Sequence, residues 1–244
     1  MPDLQLSDGA RLYYRDEGSG PVVLLVHGGT GTGDHDWEFL RPALAPDYRV
    51  ITPDLRGHGR STDPAWLLGM DQIGDDMVAL SDALAVRPRA VIAFSIGGSA
   101  ILKLLCRRPG LTDAFVGVGL SRAGQRERVE AIVNGPWPHE LIALEHEHGD
   151  ADHWRRLRER MSATWANDLR ISDEELGRVG IPSLVCCGDR DRLEPISVAE
   201  SIATALPGGE LLVLPGAGHF AVRDRPDVFA AAVLDFLGRH LGSG

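Results

Sequence analysis

Six short segments of the chain are apolar at nearly every position rather than at alternate ones. They are Val22–Val26, Tyr48–Thr52, Ala90–Phe94, Ala114–Leu120, Ser183–Cys187 and Glu210–Leu214. A strand apolar on both faces is covered on both, as in a central parallel strand with helices above and below. Helical periodicity fills the gaps at about 71–85, 97–108, 197–206 and 226–241, the last with Pro226 in its first turn. Ahead of the first run, residues 4–16 read as a hairpin around Ser7-Asp8-Gly9. Strand–helix alternation predicts an α/β fold, with a doubly wound, mostly parallel sheet and right-handed crossovers.

Residues 121–180 break the rhythm. No convincing strand falls there, while Trp137, Trp154 and Trp165 sit among charge-rich helical patterns. The segment reads as a short helical cap inserted within one domain spanning 1–244, over the carboxyl edge of the sheet where open α/β folds place their sites. Within it, 154–161 has the pattern of an amphipathic helix with an exposed basic face. The sharper alternative is an arginine that faces a pocket and binds a substrate carboxylate.

Composition narrows the field. At 244 residues, 43% hydrophobic and 25% charged, the chain is long enough for one large core. A net charge of −10 opposes a nucleic-acid partner. No basic leader followed by an apolar run and no membrane-length segment is expected, which gives a cytoplasmic protein as monomer or homodimer. Cys106, Cys186 and Cys187 are odd in number and sit in apolar surroundings, so they read as reduced core residues. Lys103 is the only lysine, which removes pyridoxal-phosphate chemistry at any other lysine and the Tyr-x-x-x-Lys pair of short-chain dehydrogenases.

Four segments carry chemistry. Ala93-Phe94-Ser95-Ile96-Gly97 approximates Gly-x-Ser-x-Gly between a strand and a helix, with Ala93 in place of the first glycine. Such a turn strains the serine backbone and holds its hydroxyl proud of the sheet; small residues two positions either side let strand and helix pass closely. His27-Gly28-Gly29-Thr30-Gly31 follows the first apolar run. In a serine hydrolase built this way, the Gly29 and Ile96 N–H groups would form the oxyanion hole. The loop fails as a dinucleotide fingerprint, because Asp34 stands where the last glycine belongs. Gly188-Asp189-Arg190-Asp191 offers a carboxylate to orient a histidine; Asp191 is the choice and Asp189 its rival. Gly216-Ala217-Gly218-His219-Phe220 places a histidine outside any core pattern. A fifth segment, His146–His153, nearly spells a zinc-hydrolase signature, but Ala151 occupies a ligand position and no metal is expected.

With Ser95, Asp191 and His219 in that order, each after a strand, the chain resembles the α/β-hydrolase superfamily over nearly its whole length except 121–180. Pro53–Ser61, Pro-Asp-Leu-Arg-Gly-His-Gly-Arg-Ser, is similar to that family's loop after the fourth strand and reads as structural; Trp37 reads as packing. The resemblance implies a catalytic triad, hydrolysis of a small-molecule acyl substrate and usually no cofactor. A carboxylic ester, lactone or thioester leads. Alternatives are a carbon–carbon bond hydrolase, which often carries Trp where this chain has Phe220, a lyase with the same triad, or a ligand sensor that retains the pocket.

Overall fold

The computed structural model describes residues 2–124 and 151–242. Its strands are β1 (Asp3–Gln5), β2 (Arg11–Glu17), β3 (Val22–Val26), β4 (Arg49–Pro53), β5 (Ala90–Phe94), β6 (Ala114–Val118), β7 (Ser183–Gly188) and β8 (Gly209–Leu214). The described helices are α1 (Gly33–Asp36), α2 (Leu40–Leu44), α3 (Met70–Ala83), α4 (Ser95–Arg107), α5 (Ala151–Asp168), α6 (Asp173–Leu176), α7 (Ile196–Ala205), α8 (Ala221–Asp224) and α9 (Pro226–Leu241).

The strands form a single sheet in the order β1-β2-β4-β3-β5-β6-β7-β8. The hairpin β1–β2 and its pairing with β4 are antiparallel, and every pairing from β4 to β8 is parallel. The fully apolar runs have the expected cause. In β3, Leu24 and Val26 join the core on one face while Val23 and Leu25 join the other; in β5, Val91 and Ala93 oppose Ala90, Ile92 and Phe94. Residues of α3, α4 and α7 close the first face, and those of α2 and α9 the second. Each fully buried aliphatic side chain contributes roughly 1.5–3 kcal/mol.

From β3 the chain crosses to β4 on one side and later to β5 on the other. The carboxyl ends of β3 and β5 therefore border the crevice of a doubly wound sheet. Strand β6 stops at Val118, two residues short of the apolar run, because Gly119 turns at φ +57°. The four-residue helices α1, α6 and α8 and five-residue α2 are too short to show a period in sequence. Among the described residues, no helix is long and apolar enough to cross a membrane.

Candidate active site

Strand β5 runs into α4 without a loop, so one residue absorbs the reversal. Phe94 is still extended (φ −117°, ψ 138°) and Ser95 has φ +51°, the left-handed region where a Cβ costs roughly 1–2 kcal/mol. The surroundings demand close approach. A Cβ on Gly97 would collide with the His27 carbonyl oxygen, and one on Gly98 would lie 2.6 Å from Leu120 Cδ2 and 2.9 Å from the Ala93 carbonyl oxygen. Ala93 is fully buried in the core. The Ser99 hydroxyl donates to the Ser95 carbonyl at 3.0 Å and accepts the Ser121 N–H at 3.0 Å, bracing the turn from behind. No side chain caps α4, so its first-turn N–H groups, that of Ile96 included, stay available to an anion at the helix's positive end.

The Ser95 hydroxyl lies 2.9 Å from His219 Nε2, and Nδ1 of that ring lies 2.8 Å from Asp191 Oδ2. A carboxylate only accepts, so Nδ1 carries hydrogen and Nε2 presents its lone pair to the hydroxyl. Asp191 Oδ1 receives the N–H groups of Leu193 and Glu194 at 2.8 and 2.9 Å. Burial presses the Asp191 carboxyl upward, but the hydrogen bond and charge of His219 with those two N–H groups outweigh it and hold the carboxyl below the usual range. Asp189 is elsewhere: it accepts the Gly216 N–H at 2.7 Å and shapes the histidine loop. Two glycines admit that loop. A Cβ on Gly188 would collide with the carbonyls of Ala217 and Gly218, and one on Gly119 would lie 2.9 Å from His219 Cε1. Phe94 stands 5.2 Å from the imidazole, ring to ring, and forms one wall of its slot.

The glycine loop after β3 lies against the elbow. A Cβ on Gly28 would sit 2.8 Å from the Phe94 ring, and one on Gly29 would sit 2.8 Å from both Ile96 Cγ2 and Met161 Sδ. Gly29 and Ile96 are thus neighbours beside Ser95, with Met161 of α5 over them. Asp36, which sequence reading passed over, accepts the Gly28 N–H at 2.8 Å from a fully buried carboxylate. Its position in a four-residue helix hid it; the Thr32 cap just ahead of Gly33–Asp36 is the signal that marks that helix.

Helix α5 turns Trp154, Leu157 and Met161 inward and exposes Arg155, Arg156 and Arg160. Its side chains bond to backbone: Arg160 Nε and Thr164 Oγ1 to the Leu68 carbonyl at 2.9 and 3.0 Å, and His153 Nε2 to the Gly57 carbonyl at 2.8 Å. Trp137 and residues 146–150 of the histidine-rich run lie outside the described residues; among those described, no cluster of three metal-ligating side chains occurs. The three cysteines are buried thiols, and burial pushes Cys106 and Cys187 up to about 11. Trp37 is fully buried in the second core face. In the loop after β4, Gly57 and Gly59 take φ +72° and +51°, and Asp54 ties the Gly33 and Arg60 N–H groups at 2.9 and 3.0 Å.

Among proteins of known identity, the chain is similar to pyrrolizixenacetamide deacetylase of Xenorhabdus hominickii, 25% identical over 93% of this chain and 95% of that one. It is also similar to 2-hydroxy-6-oxo-6-(2'-aminophenyl)hexa-2,4-dienoic acid hydrolase of Metapseudomonas resinovorans, 25% identical over 95% and 89%. The crystal structure of a hydrolase from Pseudomonas aeruginosa PA01 superposes with a TM-score of 0.78 at 28% identity, covering 97% of this chain and 98% of the other. A model described as the alpha/beta hydrolase family matches residues 23–232, and the chain belongs to that family.

Proposed function

We propose that this α/β hydrolase cleaves a small carboxylic ester, lactone or thioester through an acyl-enzyme on Ser95. The observation that carries the reading is the unbroken line from Asp191 through His219 to the hydroxyl of a serine held at positive φ. His219 takes the hydroxyl proton as Ser95 attacks the carbonyl carbon, and Asp191 stabilises the imidazolium that forms. The Gly29 and Ile96 N–H groups receive the oxyanion, each donor contributing roughly 3–4 kcal/mol. His219 then protonates the leaving group and draws a proton from the water that releases the acid. Residues 121–180 act as the cap: Met161 on Gly29 and Leu157 3.2 Å from a Cβ position on Gly57 support that reading.

Ser95→Ala is expected to lower kcat by roughly 10³–10⁶-fold on short-chain nitrophenyl esters, with folding intact by circular dichroism. A fluorophosphonate should label the parent and not the variant. Near-normal turnover by Ser95→Ala overturns the assignment. Carbon–carbon hydrolysis is the second reading, favoured by the similarity to the dienoic acid hydrolase. Turnover of a vinylogous 1,5-diketone acid above that of any ester in a matched panel selects it.

A further inference from the structure

We infer that His58 is a positioning residue for the oxyanion loop, held as an imidazolium between two backbone carbonyls; this rests on the reading that the Gly29 N–H receives the oxyanion. Besides His35, whose Nδ1 lies 2.8 Å from the Asp36 carboxylate, the imidazoles of His27, His58 and His219 line the site, and the partners of these three assign their protons. His27 Nε2 accepts the Leu55 N–H at 2.8 Å, so its hydrogen is on Nδ1, which donates to the Gly28 carbonyl at 2.6 Å. His219 sits between a hydroxyl and a carboxylate. Both of those rings are served by one hydrogen.

His58 differs. Its Nδ1 lies 2.9 Å from the Arg56 carbonyl oxygen and its Nε2 lies 3.0 Å from the Gly29 carbonyl oxygen. A carbonyl only accepts, so both ring nitrogens must donate. A ring with one hydrogen would set a nitrogen lone pair against an oxygen lone pair in a site closed to water, since His58 is 1% exposed.

The clamp has a mechanical purpose. Gly28 and Gly29 lack the Cβ atoms that restrict backbone rotation, so hydrogen bonds must fix the loop. Asp36 binds the Gly28 N–H, His27 binds the Gly28 carbonyl and His58 binds the Gly29 carbonyl. Of the four polar backbone groups of the two glycines, only the Gly29 N–H has no hydrogen bond to a described residue. With the other three tied, that N–H is oriented, and the bond accepted by the carbonyl of its own peptide polarises it further. Gly57 and Gly59, both at positive φ, flank His58 and turn the loop inward.

Nitrogen-15 NMR of the histidine rings at neutral pH, compared between the parent and His58→Gln, tests the proposal. The signals lost in the variant should be two protonated ring nitrogens with slowly exchanging hydrogens. His58→Gln should lower kcat roughly ten- to a hundred-fold with KM little changed, less than outright loss of an oxyanion donor. Fluorophosphonate labelling of Ser95 should slow in proportion. A ring 58 with one unprotonated nitrogen overturns the proposal, as does a loss confined to KM. Should His58→Gln not fold, His35→Gln removes the other shielded ring near the loop, the one whose Nδ1 lies 2.8 Å from Asp36: a buried imidazolium with slowly exchanging N–H groups that persists in that variant supports the clamp, and its absence sinks it. The ring signal is independent of which bond is cleaved. Failure of the proposed function would show separately, as a parent enzyme whose Ser95 takes no label.

Discussion

Ser95 keeps a backbone angle that its own Cβ disfavours because the neighbours leave no alternative. Gly97 is the critical one, since the His27 carbonyl occupies the place of its side chain. Gly97→Ala is expected to cost about 1–3 kcal/mol, read as a lower urea midpoint at unchanged slope, because backbone has to move to admit the methyl. Asp191→Asn should leave stability less affected and lower kcat by roughly 10⁴-fold, since an amide no longer enforces the Nδ1–H tautomer of His219. An equal loss in Asp189→Asn would contradict the geometry, in which Asp189 serves only the Gly216 N–H. Ser95 stood out in the sequence because small residues flank it between a strand and a helix, and His219 because it fits no core period. Asp189 and Asp191 did not separate there: both follow β7, and which one meets the imidazole depends on a turn closed by the Asp191 N–H to the Gly188 carbonyl at 3.2 Å.

Between elements, the loop after β4 is fastened to α3 by Arg56, whose side chain is wholly buried. Its Nε and Nη2 each lie 2.6 Å from a different oxygen of Asp76, and its Nη1 reaches Asp8 at 3.0 Å and Asp63 at 3.3 Å. Removing the cation leaves buried Asp76 and Asp63 unpaired. Arg56→Leu should therefore destabilise the protein by about 3–5 kcal/mol in urea titration. The partners come from β1–β2, the loop and α3, three separate stretches of sequence, and no local pattern joins them. Local pattern did serve the long elements. Helix α9 matches its sequence bounds because Pro226 marks its start, whereas α4 begins at Ser95, two residues before the period reveals it. Capping and close approach set those ends, and periodicity is blind to both.

Across the molecule, acid exposes the cost of paired carboxylates. Burial raises Asp34, but hydrogen bonds and charges of Arg15 and Arg60 outweigh it and hold it at about 2; the Arg239 hydrogen bond holds Glu210 at about 2. Unfolded, such groups titrate near roughly 4. The native state thus binds fewer protons than the unfolded chain between about pH 4 and pH 2. The stability these pairs contribute is complete above that window and is lost as pH falls through it. Tm should decline across it, and decline less steeply in Glu210→Gln; a Tm unchanged down to pH 2 in the parent would refute this. The doubly wound, mostly parallel sheet was within reach of sequence because apolar runs and helices alternate; the order of its strands was not, since right-handed crossovers fix the hand of each connection but not which neighbour a strand takes.

Among the described residues, Arg160, Thr164 and His153 of α5 bond the body of the protein through the carbonyls of Leu68 and Gly57. A main-chain acceptor is present whatever residue bears it, so these hydrogen bonds exert no demand on side-chain identity; the demand that remains is for Gly29 and Gly57, which leave room for Met161 and Leu157. A different helix offering a donor at similar spacing could be grafted there while β3, β5 and β7 keep their sequences. Recombination could therefore retailor what the enzyme accepts while inheriting the chemistry beneath unchanged.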